Sequence, residues 1–522
     1  MISFRHATVL ACTGADPVDD ATVIVEGAVI KDILTGARPA AGAGGEVIEC
    51  GGRTVMPGLI DAHVHVCAVE VDLAAQRREY PASLLAYAAG TMIRQALDQG
   101  FTTIRDAGGA DWGMKEAVDR GLIPGPRMFV SGHPLSQSGG HGDSRSRAED
   151  FAGCGCGAEI GMGAAIADGV DEVRRAARTQ LRRGADAIKV MAGGGVASPT
   201  DRLESPQYQP DELSAAVAEA EAAGSYVLAH AYTPAAIRNA VEAGVRSIEH
   251  GNFLDEATAA LMAAKGTFLV PTFVTYEKLH EEGRERGLTA AQLAKLDLVL
   301  GSGLDALRRA REAGVQIGSG SDLLGPLARH KARELAIKAS LLGAHETLIA
   351  TTKTNAELLG IAAETGTIEP GKRADLLVVD GDPLADIALL QHPDNLMAIV
   401  KAGQFHKRQI LGRSRRLRAR AGRRAPDPYD HAPRLLDFLE DALHLLHLIP
   451  EFVKSHAEVR EPQVDVLLCG DRHVAKPTVL VGQGPVLLAD GQFGPGVPGG
   501  GQVPDHHERH DNHRAHQRNK QR

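Results

Sequence analysis

The stretch PGLIDAHVH, residues 57–65, places an apolar run directly after a Pro-Gly turn and ends it on two histidines one residue apart. On a strand, successive side chains point to opposite faces, so His63 and His65 project the same way while Ala62 and Val64 face the other. Two imidazoles on one face can share a metal ion; two strand histidines can equally be satisfied by backbone carbonyls. The rest of the chain decides between these readings.

From about residue 53 to 356 one unit recurs: a helical segment rich in Ala, Glu and Arg, a Gly, a short β-branched run, then polar residues. After LIDAHVH the strand runs are FTTIRDAGG (101–109), RMFVSGHP (127–134), DAIKVMAGGG (186–195), YVLAHAY (226–232), VRSIEHG (245–251), TFLVPTF (267–273) and VQIGSGSD (315–322), eight in all. Gly100, Gly184, Gly224, Gly244, Gly266 and Gly314 stand where a helix wants a left-handed C-cap. Helical patterns such as residues 171–184 and 211–224 fill the gaps. Eight strands alternating with helices predict an α/β fold, a (β/α)8 TIM barrel over residues 53–356.

The flanks read differently. Residues 1–52 (ATVIVEGAVIKDI, GEVIECGGR) and 357–412 (GTIEPGKRADLLVVDGDP, NLMAIVKAGQF) are short strands with turns. They predict one small composite β-sandwich domain built from both sides of the barrel. Residues 413–522 change character: a cluster of seven arginines between Arg413 and Arg424, one amphipathic segment (DFLEDALHLLHLIPEFV), then a Gly-, Pro- and His-rich stretch. Such a composition buries little apolar surface and predicts a largely disordered tail. Its bias is also that of a GC-rich gene translated out of frame, which sequencing the DNA would test.

A chain of 522 residues with 43% hydrophobic and 24% charged content suffices for one large and one small globular domain. The net charge of −9, with no basic stripe before residue 400, argues against nucleic acid as a partner. Six scattered cysteines make no disulfide framework, and Cys154 and Cys156 lack a second pair at zinc-site spacing. With no signal-peptide pattern and no apolar run of about 18 residues, the expectation is a cytoplasmic protein without a membrane partner.

Barrel chemistry sits at the C-terminal strand ends. The polar residues there are His63 and His65, Lys189, His230, His250 and Asp322. Singly, each has a structural explanation: Lys189 as a salt bridge, Asp322 as a helix cap. Gathered at one mouth they would be costly to desolvate unless divalent cations satisfied them. A non-catalytic barrel would be expected to have lost ligands.

Together PGLIDAHVH, DAIKVMAGGGVASP, AHAYTP, IEHG and SGSD resemble the amidohydrolase superfamily in its binuclear-metal branch, over about residues 1–410. More narrowly, RDAGG, LSQSGGHGD, VLAHAYTPAAI, VPTFVTYE and ADLLVVDGDPL are similar to amidohydrolase-type prolidases (Xaa-Pro dipeptidases) and to relatives that cleave Xaa-Lys or Xaa-Arg dipeptides, N-acyl amino acids or the amide of ochratoxin. The resemblance implies two divalent metal ions, Zn2+ foremost. His63, His65 and Asp322 would hold the more buried ion, His230 and His250 the second, and a CO2-derived carbamate on Lys189 would bridge them; a bare ammonium would be repelled by two cations. It further implies hydrolysis of a small peptide or amide by a metal-bridging hydroxide, with Asp322 as proton shuttle. His141 would lie near the substrate carbonyl and Tyr232 near the carboxylate of the leaving amino acid. The alternatives are cyclic amides as substrates, or a mononuclear deaminase of the same superfamily, which would share the HxH pair and the late Asp but not the strand-end lysine; a homo-oligomer is expected. Leaving-residue specificity would come from positions such as Phe273, Tyr276 and Leu323. The absence of an acid in PTFVTY favours proline or an apolar residue.

Overall fold

The computed structural model describes residues 1–36, 45–145, 147–148, 160–198 and 200–410. The tail from 413 onward and Cys154, Cys156 and Cys469 lie outside the described residues, so the expectations made for them do too.

The alternation of helix and strand read from the sequence is present. Parallel strands Leu59–Val64, Phe101–Asp106 and Arg127–Val130 form one sheet. Ile188–Met191, Val227–Ala231, Ser247–His250 and Phe268–Val270 form the path of a second, whose other edge holds the short strands Leu135–Ser136 and Ala165–Ile166. Asp186 N–H donates to Val130 O at 2.7 Å, linking the two sheets. On the opposite side residues 316–322 connect them: Leu269 N–H donates to Gln316 O, and Ala62 N–H donates to Ser319 O, each at 2.9 Å. Followed in order, the backbone contacts run from Leu59–Val64 round to residues 316–322 and back to the first strand.

Glycine explains the helix ends. Gly244 and Gly266 are left-handed C-caps at φ 97° and 69°, and Gly100, Gly184, Gly224 and Gly314 also have positive φ, as the sequence predicted. The helices predicted at 171–184 and 211–224 are Val170–Arg182 and Pro210–Ala222.

Two runs depart from the reading. TFLVPTF is a strand only over Phe268–Val270, because Pro271 has no N–H to donate to a ladder, and a helix starts at Phe273. Residues 315–322 form a single bridge, Ile317 to Leu269, instead of a strand. Side chains there supplement the backbone bonds to both neighbouring strands. Asn355 Nδ2 donates to Ile60 O at 2.7 Å and Ser319 O at 2.8 Å, and Lys338 Nζ donates to Pro271 O and Gly318 O.

Strands from both flanks share one eight-stranded sheet. Leu376–Val379 pairs antiparallel with Thr54–Pro57, and Ile2–Val9 pairs with Val18–Glu26, Glu46–Glu49 and Thr54–Pro57. This sheet encloses its own core, with Phe4, Val23, Ile48, Val55, Leu376, Val378 and Val400 buried together. It reaches five residues past residue 52, so PGLIDAHVH begins where the flank sheet hands over to the parallel strands. Among the described residues no helix is long and apolar enough to cross a membrane.

Candidate metal centre

The strand ends bring the predicted histidines together. The ring centroids of His63 and His65 are 5.2 Å apart, those of His63 and His250 4.9 Å, and those of His230 and His250 4.6 Å. His65 lies one residue past its strand. Asp322 Oδ1 approaches His65 Nε2 at 3.4 Å and His63 Nε2 at 3.6 Å, and ligand atoms of His63, His250 and Asp322 all fall within 4.8 Å of one another. His250 and Asp322 take left-handed backbone conformations, at φ 75° and 51°. Such conformations cost about 1–3 kcal/mol each in a residue other than glycine and persist only where their surroundings fix them.

All four imidazoles are buried, and burial lowers their basicity; His65 is brought down to about 4 and His63, His230 and His250 fall well below the usual value. The Lys189 ammonium adds to the depression at all four. Lys189 itself is buried and pulled down to about 8, mainly by desolvation, against the opposing pull of Glu249 and Asp322. Desolvation likewise pushes the Asp322 carboxyl up to about 7. Its side chain is 19% exposed, against 1% for that of His63 and 9% for that of His65.

These tautomers test whether the residues suit a cation. His65 Nδ1 donates to Gly108 O at 2.8 Å, and His63 Nδ1 donates to Glu249 Oε2 at 2.7 Å. With both rings uncharged, each Nε2 carries a lone pair, yet the two Nε2 atoms face each other at 3.3 Å with a carboxylate oxygen beside them. Three electron donors converging in a buried space fit a divalent cation, and imidazole nitrogen with carboxylate oxygen is a donor set that suits zinc. The carbonyl and carboxylate behind the rings orient them as partners of metal-bound histidines do.

The two residues expected at the substrate lie against this cluster. His141 stacks on His230 at 4.3 Å, and its Nδ1 is 2.9 Å from Ser198 Oγ. Tyr232 packs edge-on to His230 at 4.9 Å, and its hydroxyl accepts a hydrogen bond from Tyr276 at 3.1 Å. Tyr232, Tyr276, Val196, Leu203, Val274 and Leu323 belong to one apolar cluster. Phe273 packs instead with Leu307 and Leu342 in a separate cluster.

Several polar residues of the site were not singled out from the sequence. Glu249 is fully buried between His63 and the equally buried Arg105, whose Nη2 lies 2.7 Å from Glu249 Oε1. Asp106 accepts from the backbone N–H groups of Val66, Gly108 and Ala110, fixing the loop that carries the His65 acceptor. Asp61 and Lys331 form a further buried pair at 2.8 Å. Asp61 precedes His63 by two, so the alternation that pairs His63 with His65 also reaches it.

The sequence matches the amidohydrolase family model over residues 54–405. It is 34% identical over 374 residues to the ochratoxinase of Aspergillus niger, covering 69% of this chain and 76% of that protein. Among solved structures it is similar to a prolidase complexed with N-methylphosphonate-L-proline (42% identity, TM-score 0.76, 78% of this chain and all of that one). It is also similar to a Xaa-Pro dipeptidase with bound methionine (28% identity, TM-score 0.70, 78% of this chain and 99% of that one).

Proposed function

Because the chain belongs to the amidohydrolase family, whose TIM-barrel fold its parallel strands follow, and is a hydrolase acting on carbon–nitrogen bonds, we propose that it cleaves the amide bond of an Xaa-Pro-like dipeptide or an N-acyl amino acid. The observation that carries this reading is the opposed Nε2 pair of His63 and His65 beside Asp322, with the buried Lys189 on the strand next to that of His230.

We assign His63, His65 and Asp322 to one divalent ion and His230 and His250 to a second, both zinc, with a carbamate on Lys189 between them. Desolvation pulls Lys189 towards the neutral amine that must react with CO2. When bound, such ions polarise a carbonyl and ionise water near neutral pH. Asp322 takes the proton of the attacking water and returns it to the leaving nitrogen, which departs poorly as an anion. His141 orients the carbonyl end. Because Tyr276 donates to the Tyr232 hydroxyl, the Tyr232 proton is left for an acceptor such as the leaving residue's carboxylate. The apolar wall around the two tyrosines favours proline or an apolar leaving residue.

The same reading takes residues 53–356 as a closed (β/α)8 barrel and 1–52 with 357–412 as a composite β-sandwich domain, in a homo-oligomeric cytoplasmic enzyme. The test is hydrolysis of a panel of Xaa-Pro, Xaa-Phe, Xaa-Lys and N-acyl amino acids by protein reconstituted with zinc and bicarbonate. Selective release of proline or an apolar residue supports the assignment; turnover of cyclic amides alone moves the substrate class, and release of lysine alone overturns the specificity.

A further inference from the structure

The Asp61 carboxylate carries four hydrogen bonds, and all of them bear on the segments that present His63 and Asp322. Its Oδ1 accepts from the backbone N–H of His63 at 3.2 Å and of Ser321 at 3.0 Å. Its Oδ2 accepts from Ser321 Oγ at 2.6 Å and Lys331 Nζ at 2.8 Å, and Lys331 donates again to Ser321 Oγ at 2.8 Å. Asp61, Ser321 and Lys331 are all buried. Lys331 follows the 3-10 turn Gly325–His330, which Gln99 holds by donating to Ala328 O at 3.1 Å, and its ammonium lies 5.6 Å from the Phe101 ring centre. The chain it clamps is the irregular run that lacks a regular ladder, and the next residue is Asp322, with its left-handed backbone and its N–H on His63 O at 2.9 Å.

We propose that Lys331, acting through Asp61 and Ser321, is a positioning residue for the Asp322 carboxylate. The triad fixes Ser321 against the first barrel strand and so sets the backbone angle at which Asp322 meets His63 and His65. This rests on the proposed function for what Asp322 then does, but the geometry it describes does not.

A buried ion pair can serve stability alone, and Lys338 supplies the comparison. It is fully buried at the same seam, pairs with Glu334 at 3.1 Å and donates to Pro271 O, Gly318 O and Ser319 Oγ, but bonds neither Asp61 nor Ser321. The experiment compares Lys331→Met, Lys338→Met and Ser321→Ala in the full, metal-loaded protein by melting temperature, by kcat and KM on the amide that wild type cleaves best, and by the rate at which a chelator strips the metal. Both lysine variants are expected to melt earlier. Only Lys331→Met should also lower kcat and speed metal release, each by about 10- to 100-fold with KM within about threefold, as loss of a partner behind a metal ligand does. Ser321→Ala should shift both the same way by a smaller factor.

Equal losses in the two lysine variants, or kcat and release rate unchanged in folded Lys331→Met, overturn the proposal. If Lys331→Met does not fold, unchanged kcat and release in Ser321→Ala overturn it. A wild type that holds metal but cleaves no amide would defeat the functional reading, while the release rates would still decide the positioning role.

Discussion

Glu249 Oε2 lies 2.7 Å from His63 Nδ1, so a carboxylate from one strand fixes the ring of a histidine from another. The other oxygen of Glu249 holds the buried Arg105 guanidinium. Glu249→Ala therefore removes three interactions at once, since Oε1 also accepts from Ser247 Oγ at 2.6 Å. It leaves Arg105 buried without its partner, a loss of about 3–5 kcal/mol of stability, and it frees the His63 ring, weakening metal affinity by about 10- to 100-fold. Denaturant midpoints and chelator competition measure the two effects separately, and a variant that keeps wild-type metal affinity would remove Glu249 from the site.

Asp322→Asn keeps a side chain of the same shape but gives up the proton. It should abolish turnover, by roughly 100-fold or more, while much of the metal stays bound. Retention of more than about a tenth of wild-type kcat would take Asp322 out of proton transfer.

The metal-stripped protein should gain stability with pH through the acid range. Burial holds His65 at about 4 and His63, His230 and His250 well below 6.5, so between about 4 and 6.5 the unfolded chain binds more protons at these positions than the folded one does. Stability from these four groups is present above 6.5 and lost as pH falls. Asp322 and Asp106, both pushed up to about 7 by burial, and the buried Glu334, also raised, pull the other way, but they stand against these four histidines and His141, which burial likewise holds at about 4. A melting temperature that rises from pH 4 to 6.5 after chelation is the expected result; a flat or falling one contradicts it.

Gly320 is required by close approach. A Cβ there would stand 2.4 Å from His63 Cβ and 3.1 Å from His63 N. Gly320→Ala should destabilise the fold by roughly 1–3 kcal/mol through overpacking and shift His63 enough to weaken metal binding, read by denaturant midpoint and metal content. Wild-type values for both would show that the seam is looser than described.

What the sequence revealed and what it hid have separate physical causes. His63, His65, Lys189, His230, His250 and Asp322 were legible because each is a ligand type at the end of a β-branched run, and the glycines before several of those runs marked the helix ends. Glu249 was not. Strict alternation puts neighbours 249 and 250 on opposite faces, and only the left-handed backbone of His250 lets both reach His63. Lys331, in GPLARHKARE, reads as one more solvated charge, and its burial is a tertiary fact. Residues 315–322 read as a strand by pattern, but their hydrogen bonds are divided between the backbone of both flanking strands and the side chains of Asn355, Lys338 and Asp61, partners too distant in sequence for a local pattern to reveal.

The proposed function requires that the histidine cluster hold two metal ions and that hydrolysis depend on them. The direct measurement is a titration of metal-stripped protein with zinc in bicarbonate buffer, following bound metal and amide hydrolysis on the same samples. Activity that is absent without metal and climbs to a break near two ions per chain is the predicted result. Hydrolysis that persists in metal-free protein, or a chain that binds no zinc at all, would contradict it.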